Sequence, residues 1–204
     1  MQTIAFVLFD GAEELDFAGP WEVLAYLAST EPETCRVLTV SQRGGVVRCA
    51  KGLRVVADHS FADCPPFEIM LVPGGIGTRT EVDNPVLIAF LHERGRRCTL
   101  VTSVCTGAFL LERAGLLAPR DGRPRRATTH WASIERLRAL GSVEVVSQRF
   151  VDTGDVITAA GVSAGIDMAL HLVARLWGEE TARRVQKGIE YYPALPLAAP
   201  TAGG

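Results

Sequence analysis

Short apolar runs alternate along the chain with segments of helical periodicity. The runs typical of buried strands are 2–9, 35–42, 67–75 and 98–104, with a hairpin around Lys51-Gly52 in 46–58 and two strands in 143–161. The segments with helical spacing are 19–30, 84–95, 106–114, 130–141, 162–178 and 179–191. Strands separated by helices of ten or more residues predict a mainly parallel sheet that helices cover on both faces.

The pattern therefore predicts an α/β fold, a three-layer α/β/α sandwich with a mainly parallel central sheet. No internal repeat or linker divides the chain, so we expect a single domain over residues 1–192. Residues 193–204 are rich in proline, alanine and glycine and are expected to form a flexible tail.

Charge and hydropathy give no reason to expect nucleic acid or a membrane as a partner. The 21 Lys and Arg residues nearly balance the 23 Asp and Glu residues. A local basic run at Arg120, Arg123, Arg125 and Arg126 is best interpreted as a solvated loop. No stretch approaches the ~20 apolar residues of a membrane span, and the start of the chain does not resemble a secretory signal. We expect a cytoplasmic protein.

The five cysteines differ in their sequence context. They are odd in number and lack CxxC or Cys/His spacing, so neither a disulfide framework nor a zinc site is expected. Cys105 alone lies where an apolar strand turns into a helix, in SVCTGA. A tight turn of this kind, a nucleophile elbow, exposes a side chain through a strained backbone. The amino end of the following helix is expected to lower the pKa of the thiol.

Two more loops follow strands that are expected to end at the same edge of the sheet. After the third core strand, PGG offers the amides of Gly74 and Gly75, which with the amide of Thr106 could form an oxyanion hole. After the first strand, Asp16 precedes an apolar helix start and is the acid expected to turn inward. Burial beside a thiolate would raise its pKa and make it a proton donor.

Two further residues are candidates for supporting this pair. Glu14 lies in the same acidic loop as Asp16, and His130 lies in ATTHWAS at the predicted start of a helix. His130 could partner the cysteine or simply cap the helix, and the sequence leaves both open. Histidine is otherwise sparse, and no nucleotide-binding motif is present.

These motifs together resemble a known group. GAEELD, PGG, SVCTGA, ATTHW and TAAGVSAGIDMAL are similar to the ThiJ/PfpI superfamily, which has a class I glutamine amidotransferase-like, flavodoxin-like fold. The resemblance runs from about residue 3 to 192 and is strongest to the isonitrile (isocyanide) hydratase subgroup. The residue after Cys105 is Thr106, so the Cys-His pair of the protease-like branch is absent.

The resemblance implies a lyase that hydrates isonitriles to N-substituted formamides, with no cofactor and no metal. Cys105 would attack the terminal carbon, Asp16 would supply a proton and later help water to hydrolyse the thioimidate, and Thr106 would tune the thiolate. The resemblance also implies a homodimer whose partner is a second copy of the chain, acting on a small-molecule substrate.

Three other interpretations stay open. A glyoxalase-like or deglycase-like enzyme on this scaffold would also use Cys105 and an acid. The chain could also be a regulatory or ligand-sensing domain. Transcription regulators carry a similar domain ahead of a helix-turn-helix region, for which we expect no room after residue 204. A redox sensor would oxidise Cys105 to a sulfinic acid.

Overall fold

The computed structural model describes residues 1–119 and 122–193. In chain order the elements are β1 (Gln2–Leu8), α1 (Glu14–Thr30), β2 (Cys35–Ser41), β3 (Gly45–Arg48), β4 (Arg54–Ala57), β5 (His59–Ser60), β6 (Ile69–Val72), α2 (Thr78–Glu81), α3 (Pro85–Gly95), β7 (Leu100–Val104), α4 (Gly107–Arg113), β8 (Arg125–Ala127), a 3-10 turn (Trp131–Ser133), α5 (Ile134–Arg138), β9 (Val143–Val145), β10 (Phe150–Asp152), β11 (Val156–Ala159), α6 (Ala164–Trp177) and α7 (Glu179–Gly188).

The main sheet has seven strands in the order β10-β11-β7-β6-β1-β2-β5. Every neighbouring pair in it is parallel except β10 and β11, which form an antiparallel hairpin at one edge. Two small sheets lie outside it, the hairpin β3-β4 and the parallel pair β8-β9. The predicted α/β class and mainly parallel, flavodoxin-like sheet are confirmed.

Alternating side chains of β1 show why the sheet is covered on both faces. Ile4 and Phe6 belong to a core with α1 and α6, whereas Ala5 and Val7 belong to a second core with α3 and α4. All four side chains are fully buried. Both faces of this central strand are therefore apolar, and the layers form the predicted sandwich.

Several boundaries differ from the sequence-based prediction. Helix α1 begins at Glu14 rather than Gly19, so Pro20 lies inside the helix, where its ring packs against the backbone of Gly165 in α6. The third core strand is regular only over Ile69–Val72. The helix predicted at 130–141 is a 3-10 turn followed by the five-residue α5.

The basic run also differs from its interpretation as a solvated loop. Arg125 is buried in β8 and forms an ion pair with Asp155 at 2.6 Å, so part of this segment is a strand and not a solvated loop. Residue 120 of the run lies outside the described residues, as do all but the first residue of the predicted tail at 193–204. The single-domain assignment to residues 1–192 stays a prediction.

The chain order places four loops at one edge of the sheet. Strands β2 and β5 lie on one side of β1, and β6, β7 and β11 lie on the other, so the order of strands reverses next to β1. Crevices form at such switch points, at the carboxyl ends of the strands. The loops after β1, β6, β7 and β11 all end at that edge.

Candidate active site

Cys105 occupies the turn between β7 and α4. Its φ is 57°, a left-handed conformation that is uncommon outside glycine. Its amide donates to the carbonyls of Ala159 (3.1 Å) and Ala160 (2.8 Å), and its carbonyl accepts from Thr129 Oγ1 (2.8 Å). The neighbouring β11 and the loop after β8 therefore hold the strained turn in place.

Asp16 lies in the first turn of α1 with its side chain fully buried. Its Oδ2 accepts a hydrogen bond from the Gly74 amide at 2.8 Å, whereas Oδ1 accepts none of normal geometry from the described residues. Burial raises the pKa of this carboxyl to about 7, and the charge of Glu13 adds to the rise. The Gly74 amide, the Cys105 thiol and the Val162 amide oppose it only in part.

The pKa of the Cys105 thiol moves opposite to the prediction. Burial, and then the negative charge of Asp16, raise it to about 12. The amides of Thr106 and Val162 and the Thr106 hydroxyl lower it, but they do not offset the burial. The amino end of α4 thus fails to make a free thiolate here, because Cys105 is only 6% exposed and its sulfur faces a carboxyl group.

The pair nevertheless has a defined acid–base state. As pH rises, the first proton leaves near pH 7 and the second leaves only at strongly alkaline pH. Between these values one proton is shared by Cys105 and Asp16, so the pair carries a single negative charge. The pKa of Cys98 is also raised by burial to about 12. What distinguishes Cys105 is therefore its hydrogen bond to the buried carboxyl group of Asp16, and not the pKa of its thiol.

The main-chain amides of Gly74 and Gly75 already donate hydrogen bonds within the protein. The Gly74 amide binds Asp16, and the Gly75 amide donates to Thr106 Oγ1 at 3.0 Å. The Thr78 hydroxyl lies 3.0 Å from the same Thr106 oxygen. This differs from the predicted oxyanion hole: the PGG loop orients the acid and the threonine. A Cβ at Gly74 would overlap the Thr106 nitrogen, so the close approach of these loops requires glycine.

The amide of Val162 is a site group that the sequence analysis missed. It lies in the loop between β11 and α6, with a left-handed φ of 50°. It lowers the pKa of both Cys105 and Asp16, so it faces both groups. Together with the amide of Thr106, it provides main-chain donors beside the sulfur. The only signal in the sequence was GVSAG, a run of mostly small residues after a strand.

The two supporting candidates lie in different places. Glu14 Oε1 accepts from the Lys51 amide at 2.6 Å and so anchors the β3-β4 turn instead of reaching the sulfur. His130 lines the same cavity as Cys105, and its Nδ1 accepts from the Ala132 amide at 3.2 Å, which caps the 3-10 turn. Its ring packs directly on Gly161.

The sulfur opens into a cavity of about 380 Å³. Its lining residues are Glu13, Gly75, Ile76, Thr78, Arg79, Cys105, Thr106, His130, Ala132, Ser133, Arg136 and Val162. Glu13, not Glu14, is the acid of the first loop that lines it, and it is ion-paired with Lys51. A cavity of this size accommodates a small organic molecule.

Within residues 1–119 and 122–193, no group of three or more His, Cys, Asp or Glu side chains is arranged to hold a metal ion. Over the same residues, no helix combines the length and apolar character that crossing a bilayer requires.

Comparison with known proteins places these features in context. The model of the DJ-1/PfpI family matches residues 2–175. An isonitrile hydratase of Pseudomonas putida is 38% identical over 194 residues, which cover 95% of this chain and 80% of the relative. The crystal structure of a THiJ/PfpI family protein from Pseudomonas syringae superposes with a TM-score of 0.88 at 31% identity, covering 98% of this chain and 79% of that one.

Other relatives carry different names. A glutathione-independent glyoxalase of Caenorhabditis elegans, DJR-1.2, is 28% identical and covers 83% of this chain and 81% of its own length. The HTH-type transcriptional regulator GbdR of Pseudomonas aeruginosa is also 28% identical over 93% of this chain. The chain spans only about half of that regulator, 51% of its length.

Proposed function

Because the chain belongs to the DJ-1/PfpI family, we propose that its Cys105–Asp16 pair catalyses the hydration of isonitriles to N-substituted formamides, without a cofactor. The observation that carries this proposal is the buried carboxyl group beside a buried thiol at the floor of a small cavity. Hydration of an isonitrile needs a nucleophile for its terminal carbon and a proton for that same carbon, and this pair can supply both.

The first step uses the single proton that the pair shares. As the sulfur of Cys105 bonds to the terminal carbon of R–NC, Asp16 takes the thiol proton and delivers it to that carbon. The product is a thioimidate, R–N=CH–S–Cys105, with Asp16 left as a carboxylate. Starting from the neutral thiol avoids holding two adjacent negative charges in a buried site.

The second step consumes water. The Asp16 carboxylate accepts a proton from water as the water oxygen attacks the thioimidate carbon, and Asp16 then passes that proton to the nitrogen. The carbon–sulfur bond then breaks, which releases R–NH–CHO and returns the proton to the pair. We propose that the amides of Thr106 and Val162, instead of those of Gly74 and Gly75, stabilise charge on the oxygen of the tetrahedral intermediate.

Thr106 and His130 are assigned supporting roles. The Thr106 hydroxyl lowers the pKa of the Cys105 thiol and is fixed by the Gly75 amide, so it stabilises negative charge on sulfur. His130 lines the cavity with its Nδ1 engaged by the Ala132 amide. It shapes the wall and has no assigned proton transfer.

Formamide formation from phenyl isocyanide tests the proposal directly. Purified protein should convert the isonitrile into formanilide, and Cys105→Ser should abolish this conversion. Cys98→Ser is the matched control, because Cys98 is a free thiol whose pKa burial also raises, and it should retain the activity. Consumption of isonitrile by Cys105→Ser at the wild-type rate would contradict the proposal.

The second candidate is activity on reactive carbonyls, since a thiol beside a carboxyl group also suits addition to a dicarbonyl, and one relative is named a glyoxalase. Turnover of methylglyoxal to lactate, with no formanilide from phenyl isocyanide, would favour it. If neither substrate is consumed, a sensing role remains, and mass spectrometry would then show Cys105 oxidised selectively to the sulfinic acid by peroxide.

We also propose that the protein is a homodimer. Large apolar side chains are exposed on the β3-β4 hairpin and the adjoining start of α1, namely Leu15 (38%), Val46 (58%), Leu53 (49%) and Val56 (69%). Exposed apolar side chains of this kind suit burial against a second copy. Light scattering of the purified chain should give twice the 22.0 kDa mass, and Val56→Glu should shift the measured mass towards that of the monomer.

A cytoplasmic location stays a prediction.

A further inference from the structure

Positive charge dominates the rim of the Cys105 cavity. Arg79 of α2 and Arg136 of α5 both line it, and both side chains are exposed. Among the described residues neither guanidinium forms an ion pair. Among the described residues that line the cavity, Glu13 is the one with a carboxylate, and it is already paired with Lys51. The rim thus presents two cationic groups without a protein anion to satisfy them.

Arg136 is also held in position. Its guanidinium lies over the ring of Phe109 with the central carbon 4.2 Å from the ring centroid. This cation–π contact leaves the N–H groups at the edge of the plane free to bind a ligand. An arginine ordered in this way loses less side-chain entropy on binding than a free one.

We propose that the substituent R of the isonitrile carries a carboxylate, which Arg79 and Arg136 bind while the terminal carbon meets Cys105. This inference rests on the proposed hydratase function. A carboxylate accepts paired hydrogen bonds from a guanidinium, which a neutral substituent cannot reproduce. The two arginines are then specificity-determining residues at the rim and take no part in the proton transfers below them.

A matched substrate pair measures this preference. For 4-isocyanobenzoate and phenyl isocyanide, the ratio of kcat/KM values should favour the anion in the wild type. In Arg79→Gln/Arg136→Gln the ratio should fall about tenfold, and Arg136→Lys, which keeps the charge but loses the paired hydrogen bonds, should give an intermediate ratio. Arg138→Gln is the control, because Arg138 lies on the same helix but pairs with Glu135 and does not line the cavity. It should leave the ratio unchanged.

A second measurement separates this inference from the hydratase proposal. The rates at which 4-maleimidobenzoate and N-phenylmaleimide label Cys105 need no isonitrile turnover, and each is divided by its rate with N-acetylcysteine. The normalised ratio should favour the anionic maleimide and fall in the double variant and at high salt. If isonitriles are not consumed but this arginine-dependent ratio persists, the hydratase proposal fails, whereas the binding of a carboxylate by the two arginines stands. Normalised rates that are equal for the two maleimides, and that stay equal in the double variant, would overturn the carboxylate inference, even if formanilide is formed.

Discussion

Two aspartates of this protein have opposite surroundings. Asp152, at the end of β10, is partly exposed, yet it has His171 at 2.8 Å, Arg175 at 3.0 Å and the Gly154 amide as partners. Burial raises the pKa of its carboxyl, but these partners together hold the pKa below its ordinary value. Asp16 is fully buried, and the groups that hydrogen-bond to it, the amides of Gly74 and Val162 and the Cys105 thiol, are all uncharged.

The difference indicates what each carboxyl group does. A carboxylate that joins a strand to a helix is stabilised by having cations beside it, as Asp152 has. A carboxyl group that must gain and lose a proton near neutral pH needs the opposite, a buried position without a cation. Asp16 has that position, at the cost of stability.

The largest expected effect is on activity. Asp16→Asn should lower kcat/KM for an isonitrile by about 10²- to 10⁴-fold, since the amide can still accept the Gly74 hydrogen bond but cannot transfer the proton. Asp152→Asn should change kcat/KM by less than about twofold, because its partners lie outside the cavity. Similar losses of kcat/KM in the two variants would contradict the different roles assigned to Asp16 and Asp152. The measurement is initial rates of formamide formation, with folding checked by circular dichroism.

The next effect is on the pH dependence of kcat/KM for an isonitrile. Because the active pair has lost one of its two protons, kcat/KM should rise with a midpoint near pH 7 and then stay level in the alkaline range. Between pH 5 and the alkaline plateau the change is about a hundredfold. The residual activity of Asp16→Asn should lack this midpoint. A wild-type profile that falls above pH 7 would instead require a protonated carboxyl beside a free thiolate.

Stability should show the cost of burying Asp16. Its pKa is raised in the folded state, so the folded protein binds more protons than the unfolded chain between about pH 4 and pH 7. The free energy of unfolding therefore falls as pH rises through this window, by about 3 to 4 kcal/mol. Asp16→Asn should be more stable than the wild type at pH 8 and no more stable at pH 4. Urea unfolding at both pH values measures this, and a variant destabilised at pH 8 would contradict it.

A smaller effect of opposite sign is expected at Asp152. Its pKa is lowered by folding, so the stabilisation is present above the unfolded pKa of about 4 and is lost as pH falls through the folded value. Asp152→Asn should therefore lower the free energy of unfolding by about 1 to 2 kcal/mol at pH 7. The difference from the wild type should shrink below pH 4. The same urea titrations provide the test.

The regular parts of the fold were predictable because the patterns in the sequence are strong. The apolar runs of β1 and β7 and the periodicity of α6 predict the sheet class and the layers. Position alone also predicts Cys105 at the turn after β7 and an inward-facing Asp16, although Asp16 lies in the first turn of α1 and not in the loop before it. The start of α1 was misplaced because Pro20 suggested a first turn. In the structure it lies one turn further in, against Gly165.

The site chemistry was less predictable, because it depends on contacts between loops far apart in the chain. The Gly74 amide was assigned to a substrate, but 58 residues separate it from the carboxylate that it binds. The Val162 amide has no side-chain signature, so no motif marked it. The thiol pKa was predicted from the helix that follows, whereas burial and the facing Asp16 dominate it. Local sequence predicts where a helix begins, but it does not predict how deeply a side chain is buried in the folded protein.

The central claim is that Asp16 titrates near neutral pH beside a thiol that does not. The most direct measurement is the Cγ chemical shift of Asp16 in protein labelled with ¹³C-aspartate, followed by NMR from pH 4 to pH 9 and assigned by the resonance missing in Asp16→Asn. We expect a midpoint near 7, with Cys105 still protonated at that pH. A midpoint near 4, the ordinary value for an aspartate, would contradict it.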